Sequence, residues 1–425
     1  MKKRHLPLAI LATAALGLSA CSAGSSGSSG DGETLNVWIM QGTNAESEDF
    51  FERAGEAFTE RTGATLNVEM VQWADAHDRF VTAIAGGTTP DVAETGSTWT
   101  AEFAESGALA PIGDYVSEAG LDGKLVEGLL EPGKLDDTLY GMPWYAGVRS
   151  MVYRTDLFDA AGIAVPTSWD EFRDAALALK ESNPEIIPFP VAGDAENLTY
   201  PWVWGNGGEV ATQSGDTWTS GLDSKEARDG IQFYTDLALK DGASTTGATT
   251  WKETDILDNF AQGKVGMAMM GSWTPSAILE KNPELEGKIG SFAIPGPEGG
   301  YSPSMLGGSH LSMFESSENK DLAWEFIDLM TTGDFAAEWA TQSGYFPGET
   351  SALEATVADA DEITQAFADQ MVDAGAYLPV TPRFGAVQAK KTTNTMIQSI
   401  LSGEKTVEQA TADAASEMTS ILNEK

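Results

Sequence analysis

Residues 35–93 read LNVWIMQGTNAESEDFFERAGEAFTERTGATLNVEMVQWADAHDRFVTAIAGGTTPDVA, and the periodicity of this stretch decides the fold. Leu35-Asn36-Val37-Trp38-Ile39 reads as a strand. Residues 45–62 put Phe50, Phe51, Ala54 and Phe58 on one helical face, with Gly63 just past the end. Residues 65–71 alternate Leu66, Val68 and Met70, which fits a second strand. A helix over 75–85 stops at Gly86-Gly87, and Pro90-Asp91-Val92-Ala93 starts a third strand. Strand–helix–strand–helix–strand order argues for an α/β fold with a mostly parallel sheet and helices on its faces.

The middle and end are more helical. Ser168 and Glu171 form a capping box that opens a helix to about residue 181. Asp223 caps a helix to about residue 240; a helix over 252–262 precedes a strand over 264–270. Helices are expected at 318–331, 334–342, 352–374, 384–401 and 406–422, the last opened by a Thr406/Gln409 capping box. No internal repeat is visible, and no run approaches a transmembrane span.

The 425 residues suffice for two or three domains, and 42% apolar content excludes general disorder. Lys plus Arg is 25 against 64 Asp plus Glu, a net charge of −39, which argues against nucleic acid and anionic lipid headgroups as partners. One cysteine excludes a disulfide framework. Three histidines (His5, His77, His310) leave little for zinc or haem, and no metal or cofactor is expected. An ATP-binding G-x-x-x-x-G-K-[ST] run is absent.

Residues 1–20 read as a signal peptide. Lys2, Lys3, Arg4 and His5 start it, and residues 6–18 are an apolar run too short to span a bilayer. Leu18-Ser19-Ala20-Cys21 resembles the lipobox of bacterial lipoproteins, in which the cysteine is lipidated and becomes the new N-terminus. The alternative is an ordinary secretory signal with an incidental cysteine; the position of the chain's one Cys at the cleavage point favours the lipobox. Residues 21–32 are then a Ser/Gly tether, and the expected location is the outer face of a bacterial cell membrane.

The distinctive feature is where the twelve tryptophans lie. Trp169, Trp324 and Trp339 fall in helical patterns and Trp38 in a strand. Trp73, Trp99, Trp144, Trp202, Trp204, Trp218, Trp251 and Trp273 fall at element ends or in loops, where function concentrates. A flat indole can stack on the apolar C–H face of a sugar while nearby polar groups bond its hydroxyls. Any single ring can equally plug the end of a sheet; the set favours an aromatic-lined cleft. Gln41 and Asn44 follow the first strand, Trp73 and Asp75 the second, and Glu94, Thr95, Thr98 and Trp99 the third. All lie at the carboxyl ends of parallel strands, where open α/β sheets bind ligands. Tyr145, the Trp202/Trp204/Asn206 segment and Ser272-Trp273 come from the second half, which suggests a cleft between two lobes. Glu94 and Asp75 are the loop acids placed near it, as hydrogen-bond acceptors for sugar hydroxyls rather than as the acid and base of a glycosidase. No catalytic motif supports an enzyme.

In order along the chain come Leu35-Asn36-Val37-Trp38, Ala83-Ile84-Ala85-Gly86-Gly87-Thr88-Thr89-Pro90-Asp91-Val92, Phe103-Ala104-Glu105-Ser106-Gly107-Ala108-Leu109, Gly141-Met142-Pro143 and Tyr153-Arg154-Thr155-Asp156-Leu157-Phe158. Gly263-Lys264-Val265-Gly266-Met267-Ala268-Met269, Gly271-Ser272-Trp273, Gly307-Gly308-Ser309 and Ala323-Trp324-Glu325-Phe326 follow. In this order and behind a lipobox, the fragments resemble the family 1 extracellular solute-binding proteins of sugar ABC importers. The resemblance implies a two-lobed periplasmic-binding-protein clamshell, each lobe a mixed sheet flanked by helices. It implies three hinge crossings, near 142–147, 306–310 and 345–348. One lobe is then 33–143 plus 311–345 and the other 144–305 plus 347–425. It implies that Trp273 stacks on sugar and that Thr95, Thr98, Trp99 and Tyr145 reach the ligand. Gly307, Gly308 and Ser309 resemble a backbone contact at the hinge. Gly42-Thr43 stand where the maltose-binding members carry an acid and a lysine, which disfavours maltose. With only Arg149 and Arg383 as loop cations, a neutral di- or oligosaccharide is expected. The implied partner is an ABC permease that receives the sugar, the chain itself being a monomer. A solute-binding protein for a non-sugar ligand and a secreted glycoside hydrolase are the alternatives.

Overall fold

Val37-Trp38-Ile39-Met40 is apolar at every position because both faces of its strand are covered. Leu35, Val37 and Ile39 pack into one layer; Trp38 and Met40 pack into the other. The computed structural model describes residues 33–424 except Ala45 and Asp359. The signal peptide, Cys21 and the tether lie outside the described residues.

Strand β1 (Thr34–Gln41) pairs in parallel with β2 (Thr65–Gln72) and with β3 (Val92–Gly96). Helix α1 (Ser47–Thr62) buries Phe50, Phe51, Ala54 and Phe58 and ends at Gly63, whose φ of 78° lets its N–H reach Thr59 O at 2.8 Å. Helix α2 (Trp73–Gly86) begins directly after β2, so the loop expected there does not exist. Helix α3 is Thr100–Glu105. The large sheet is completed by Gly307–Met313, antiparallel to β3, then Gly141–Gly147, then Phe346–Pro347. Phe58, Phe326, Trp144 and Trp339 form the core under one face; Phe80, Phe103 and Phe314 fill the other.

The second lobe carries a three-stranded antiparallel sheet, Met267–Gly271, Arg149–Arg154 and Ile289–Phe292, with Ile187 and Val265 forming a parallel bridge. Its core gathers Trp169, Phe172, Phe189, Trp202, Tyr234, Ile397 and Met418. Only Val148 separates Gly141–Gly147 from Arg149–Arg154, and only Leu306 separates Ser304–Met305 from Gly307–Met313. The lobe boundary therefore moves from Pro143 to Val148. Tyr145 and Ala146 pair on both sides within the large sheet, Gly147 pairs with Gly307, and Trp144 stacks on Trp339 at 4.6 Å. The third passage follows Thr350, whose N–H still donates to Lys124 O at 2.7 Å.

Helix ends follow caps that the periodicity blurs. Ser224, not Asp223, accepts from Ala227 N at 3.1 Å. The span expected at 352–374 is two helices, Thr350–Ala358 and Glu362–Ala374, the second capped by Asp361. The span at 384–401 breaks at Lys391, which sits at φ 57°.

Candidate functional site

Two aromatic clusters crown the carboxyl end of the large sheet. In the first, Trp73 opens α2 and Trp99 precedes α3, their rings tilted at 5.6 Å. Both lean over Gly96, where a Cβ would stand 3.4 Å from Trp99 and 3.6 Å from Trp73. Trp73 Nε1 donates to Thr43 Oγ1 at 3.3 Å, and Gln72 Nε2 donates to Gln41 Oε1 at 2.6 Å. Trp73 is 37% exposed, unusual for an indole and suited to a stacking surface. Thr98 is half-buried in the same turn. His77, half-buried, meets Trp99 edge-on at 5.5 Å, and Glu102, hydrogen-bonded to it at 2.9 Å, raises its pKa.

In the second cluster Trp273 precedes the helix Thr274–Lys281 and stacks on Tyr345 at 4.9 Å and 13°. Tyr345 in turn meets Tyr145 at 4.8 Å. A Cβ on Gly147 would lie 2.7 Å from both Trp273 and Tyr345, and one on Gly271 2.3 Å from Trp273, so both positions need glycine for the ring to lie flat. The Arg149 guanidinium sits 5.3 Å from the Trp273 centroid. It is held by Glu253 through Nε–Oε2 at 3.0 Å and Nη2–Oε1 at 2.9 Å. Asn197 Nδ2 approaches Glu253 at 3.5 Å, while Asn197 Oδ1 and Ser272 Oγ are buried with no partner among the described residues. Glu196 accepts from Gln388 at 2.7 Å, and burial raises its pKa. Sequence reasoning missed Glu253, Asn197, Glu196 and Tyr345; a lone acid in a helical pattern gives no signal of facing a cleft.

The backbone positions beneath the two clusters, Gly96 and Gly147, are related through the register of the large sheet. Gly96 pairs with Ser309, Ser309 with Tyr145, and Gly147 lies two residues further along that strand. Strands separated by one intervening strand lie about 10 Å apart, the reach of two linked sugar rings.

Glu94 lies in β3, not in a loop, and is fully buried. Its carboxylate accepts from Met40 N at 2.8 Å, from Ser309 Oγ at 2.6 Å and from the Tyr145 hydroxyl. Burial pushes its pKa up to about 7 against these three donors, which pull it down. The same burial, with the Glu94 charge beside it, pushes the Tyr145 hydroxyl well above its ordinary value. Because the folded pKa of Glu94 exceeds the unfolded one, its contribution to stability is complete below about pH 4.5 and is lost as pH rises through 7. Glu94→Gln should flatten the stability profile between pH 5 and 8, an effect of about 3 kcal/mol from the two pKa values. Urea unfolding at pH 5 and pH 8 measures it; parallel wild-type and variant profiles contradict it.

Other expected contacts have other work. Trp202 lies in the helix Tyr200–Gly205 and is 0% exposed, walled in by Trp169, Phe172, Phe233 and Tyr234, so it is a core residue and not a ligand contact. Trp204 borders a groove of about 1160 Å³ with Trp218, Glu105 and Tyr377. Asn206 Nδ2 is spent on Glu226 O at 2.8 Å. Asn44 is buried, bonding Gln342 Oε1 and the Glu46 N–H ahead of α1. Thr95 is fully buried against Thr100 and Ser312, and Tyr145 is 2% exposed beneath Tyr345. Arg383 forms an ion pair with Glu105 at 2.8 Å across the lobes and does not face the aromatic clusters. His310 is buried against Thr100 and Leu129 O, its pKa lowered to about 4 by burial. Asp75 is exposed in the first turn of α2. Gly308 O accepts from Ser97 N at 3.0 Å, so the Gly307-Gly308-Ser309 segment ties the third strand's turn to the hinge. The aromatic clusters thus bring together Gln41, Trp73, Thr98 and Trp99 on one side and Ser272, Trp273 and Gly307 on the other.

Two lobes joined by strand crossings, with stacking rings at the sheet ends, make the architecture of a binding protein. The chain belongs to the bacterial extracellular solute-binding proteins, whose family profile matches residues 44–334. A binding protein of Brucella abortus is 32% identical over 387 residues, 89% of this chain and 91% of that protein. A diacetylchitobiose binding protein of Streptomyces coelicolor is 28% identical over 398 residues, covering 93% and 90%. A solved ABC transporter solute-binding protein of Thermotoga lettingae, bound with alpha-D-tagatose, is 28% identical with a TM-score of 0.79, covering 92% of this chain and 100% of that one. Among the described residues no helix is long and apolar enough to cross a membrane.

Proposed function

We propose that this protein captures a neutral di- or oligosaccharide between its lobes and delivers it to the permease of an ABC importer. The observation that carries the reading is the pair of indole platforms, Trp73/Trp99 and Trp273/Tyr345, two strand spacings apart and edged by Gln41, Thr98, Ser272 and Arg149. Rings at that spacing suit two linked sugars, and a rim of amides, hydroxyls and one neutralised Arg–Glu pair suits uncharged hydroxyls. The tagatose-bound and diacetylchitobiose-binding relatives support a sugar, and the second favours a β-linked disaccharide of N-acetylated rings.

Capture works by hinge closure. A sugar lands on one lobe, and closing brings the second platform onto its other face and strips water from both. The sugar stabilises the closed form by its differential affinity. Micromolar affinity corresponds to about 8 kcal/mol, within the range of a few stacked rings and hydrogen bonds. Transport energy comes from ATP hydrolysed by other subunits. Cys21 anchors the chain by its lipid to the outer face of the cell membrane; Cys21→Ala should move the protein from the membrane fraction to the medium.

The deciding experiment is a thermal-shift screen over a sugar panel that includes N,N′-diacetylchitobiose, cellobiose and maltose. A ligand at about 100 times its Kd stabilises the native state by about 2.7 kcal/mol and raises the melting point accordingly. No shift with any sugar, alongside a shift with an amino acid or peptide, would overturn the sugar assignment.

A further inference from the structure

We infer that Arg149, Glu253 and Asn197 form the polar wall that sets which sugar is accepted at the Trp273 platform, by reading an adjacent pair of ring hydroxyls and one further donor. The inference rests on the sugar reading above and specifies it.

Arg149 is the first residue of its strand, one step past the Val148 crossing, and is 8% exposed. A buried guanidinium is costly unless its donors are used, and two of its nitrogens go to Glu253. The pair is therefore fixed in orientation. Its remaining Nη1 points toward the hinge, 3.9 Å from where a Cβ of Gly307 would stand. The guanidinium also lies over the face of Trp273, so the donor edge and the stacking surface share one position in space. Glu253 is partly exposed at the start of the helix Glu253–Ala261 and keeps lone pairs beyond the two that Arg149 uses. Asn197 Oδ1 is a buried acceptor without a partner among the described residues, although its own Nδ2 approaches Glu253. Asn197 Oδ1 therefore adds an uncommitted acceptor beside a fixed donor–acceptor pair.

The chemistry follows from those valences. A hydroxyl of the ring stacked on Trp273 donates to Glu253, its neighbour accepts from Arg149 Nη1, and a third O–H or N–H donates to Asn197 Oδ1. A ring lacking one of these hydroxyls leaves a polar atom of the Arg149–Glu253 pair or Asn197 Oδ1 without that hydrogen bond, which discriminates against it. Each lost hydrogen bond to a charged group should weaken binding about 10- to 100-fold.

The test is a cycle between protein and sugar. Using whichever panel disaccharide shifts the melting point, affinities are measured by calorimetry for the wild type, Glu253→Gln and Asn197→Ala. The parent sugar is set beside its singly deoxygenated analogues. Glu253→Gln should cost at least tenfold with the parent sugar and much less with one particular deoxy analogue. Asn197→Ala should do the same with a different analogue. Equal losses for parent and every analogue mean that these residues only support the fold, and overturn the inference. Unchanged affinity in both variants overturns it too, while leaving the sugar reading intact, because that reading is tested separately by the panel and by Trp273→Ala. Melting points measured without sugar exclude misfolding as the cause.

Discussion

Trp273→Ala is expected to weaken sugar binding more than any other single substitution, by about 2–4 kcal/mol or roughly 30- to 1000-fold in Kd. The ring is half-buried, flat against Tyr345 and supported from below by two glycine backbones, so it is held rigid before the sugar arrives. A preformed platform spends little conformational entropy on binding, which is why one indole can dominate. Trp273→Phe should recover part of the loss, since a smaller face still stacks. Gly147→Ala should lose affinity with Trp273 untouched, because its Cβ would collide with Trp273 and Tyr345 at 2.7 Å and tilt the platform. Fluorescence titration of the three variants measures this, with circular dichroism as the folding control. Wild-type affinity in Trp273→Ala would place the sugar elsewhere.

Why Trp273 was readable from sequence and its neighbours were not comes down to the range of the interactions. The fold was legible because β1, β2, β3 and the helices between them are specified by local periodicity, and parallel pairing leaves few topologies. The placing of Trp73, Trp99 and Trp273 just past strand ends was legible, because each comes within three residues of a strand's last residue, and strand ends in such sheets converge on a cleft. Glu253 and Asn197 were not, because the contact of Glu253 with Arg149 spans 104 residues and that of Asn197 with Glu253 spans 56. Glu94 was misplaced by one structural step. The third strand runs on through Gly96, so a side chain expected in solvent-lined loop is instead buried between strands. Its polarity suggested ligand contact, yet its three donors all come from the protein's own strands. Polar residues near a strand end carry this ambiguity, since the same carboxylate serves a sugar or a strand crossing depending on where pairing stops.

Trp202 carries the opposite lesson, and its removal should produce the largest loss of stability rather than of binding. Trp202, Trp204 and Asn206 looked alike in sequence, a tryptophan pair before Gly205-Asn206. The helix Tyr200–Gly205 turns Trp202 inward, where it stacks on Tyr234 at 5.5 Å and 15° and touches Trp169, Phe172 and Phe233. Its backbone is gripped as tightly: a Cβ on Gly230 would lie 1.9 Å from Trp202 O, so the helix Lys225–Leu239 packs at glycine distance. Trp202→Ala should cost about 3–5 kcal/mol, a large share of a domain's net stability. Trp202→Phe should cost much less, for a specific reason. The Trp202 Nε1 is buried without a partner among the described residues, a penalty of about 1–3 kcal/mol that phenylalanine removes along with the lost ring area. Urea titration should show the midpoint of Trp202→Ala falling sharply at constant slope. Sugar affinity, measured well below that midpoint, should stay within about twofold of wild type, since a side chain with no exposed surface touches no ligand. A variant that kept its stability but lost its sugar would return Trp202 to the cleft and move the second platform away from Trp273.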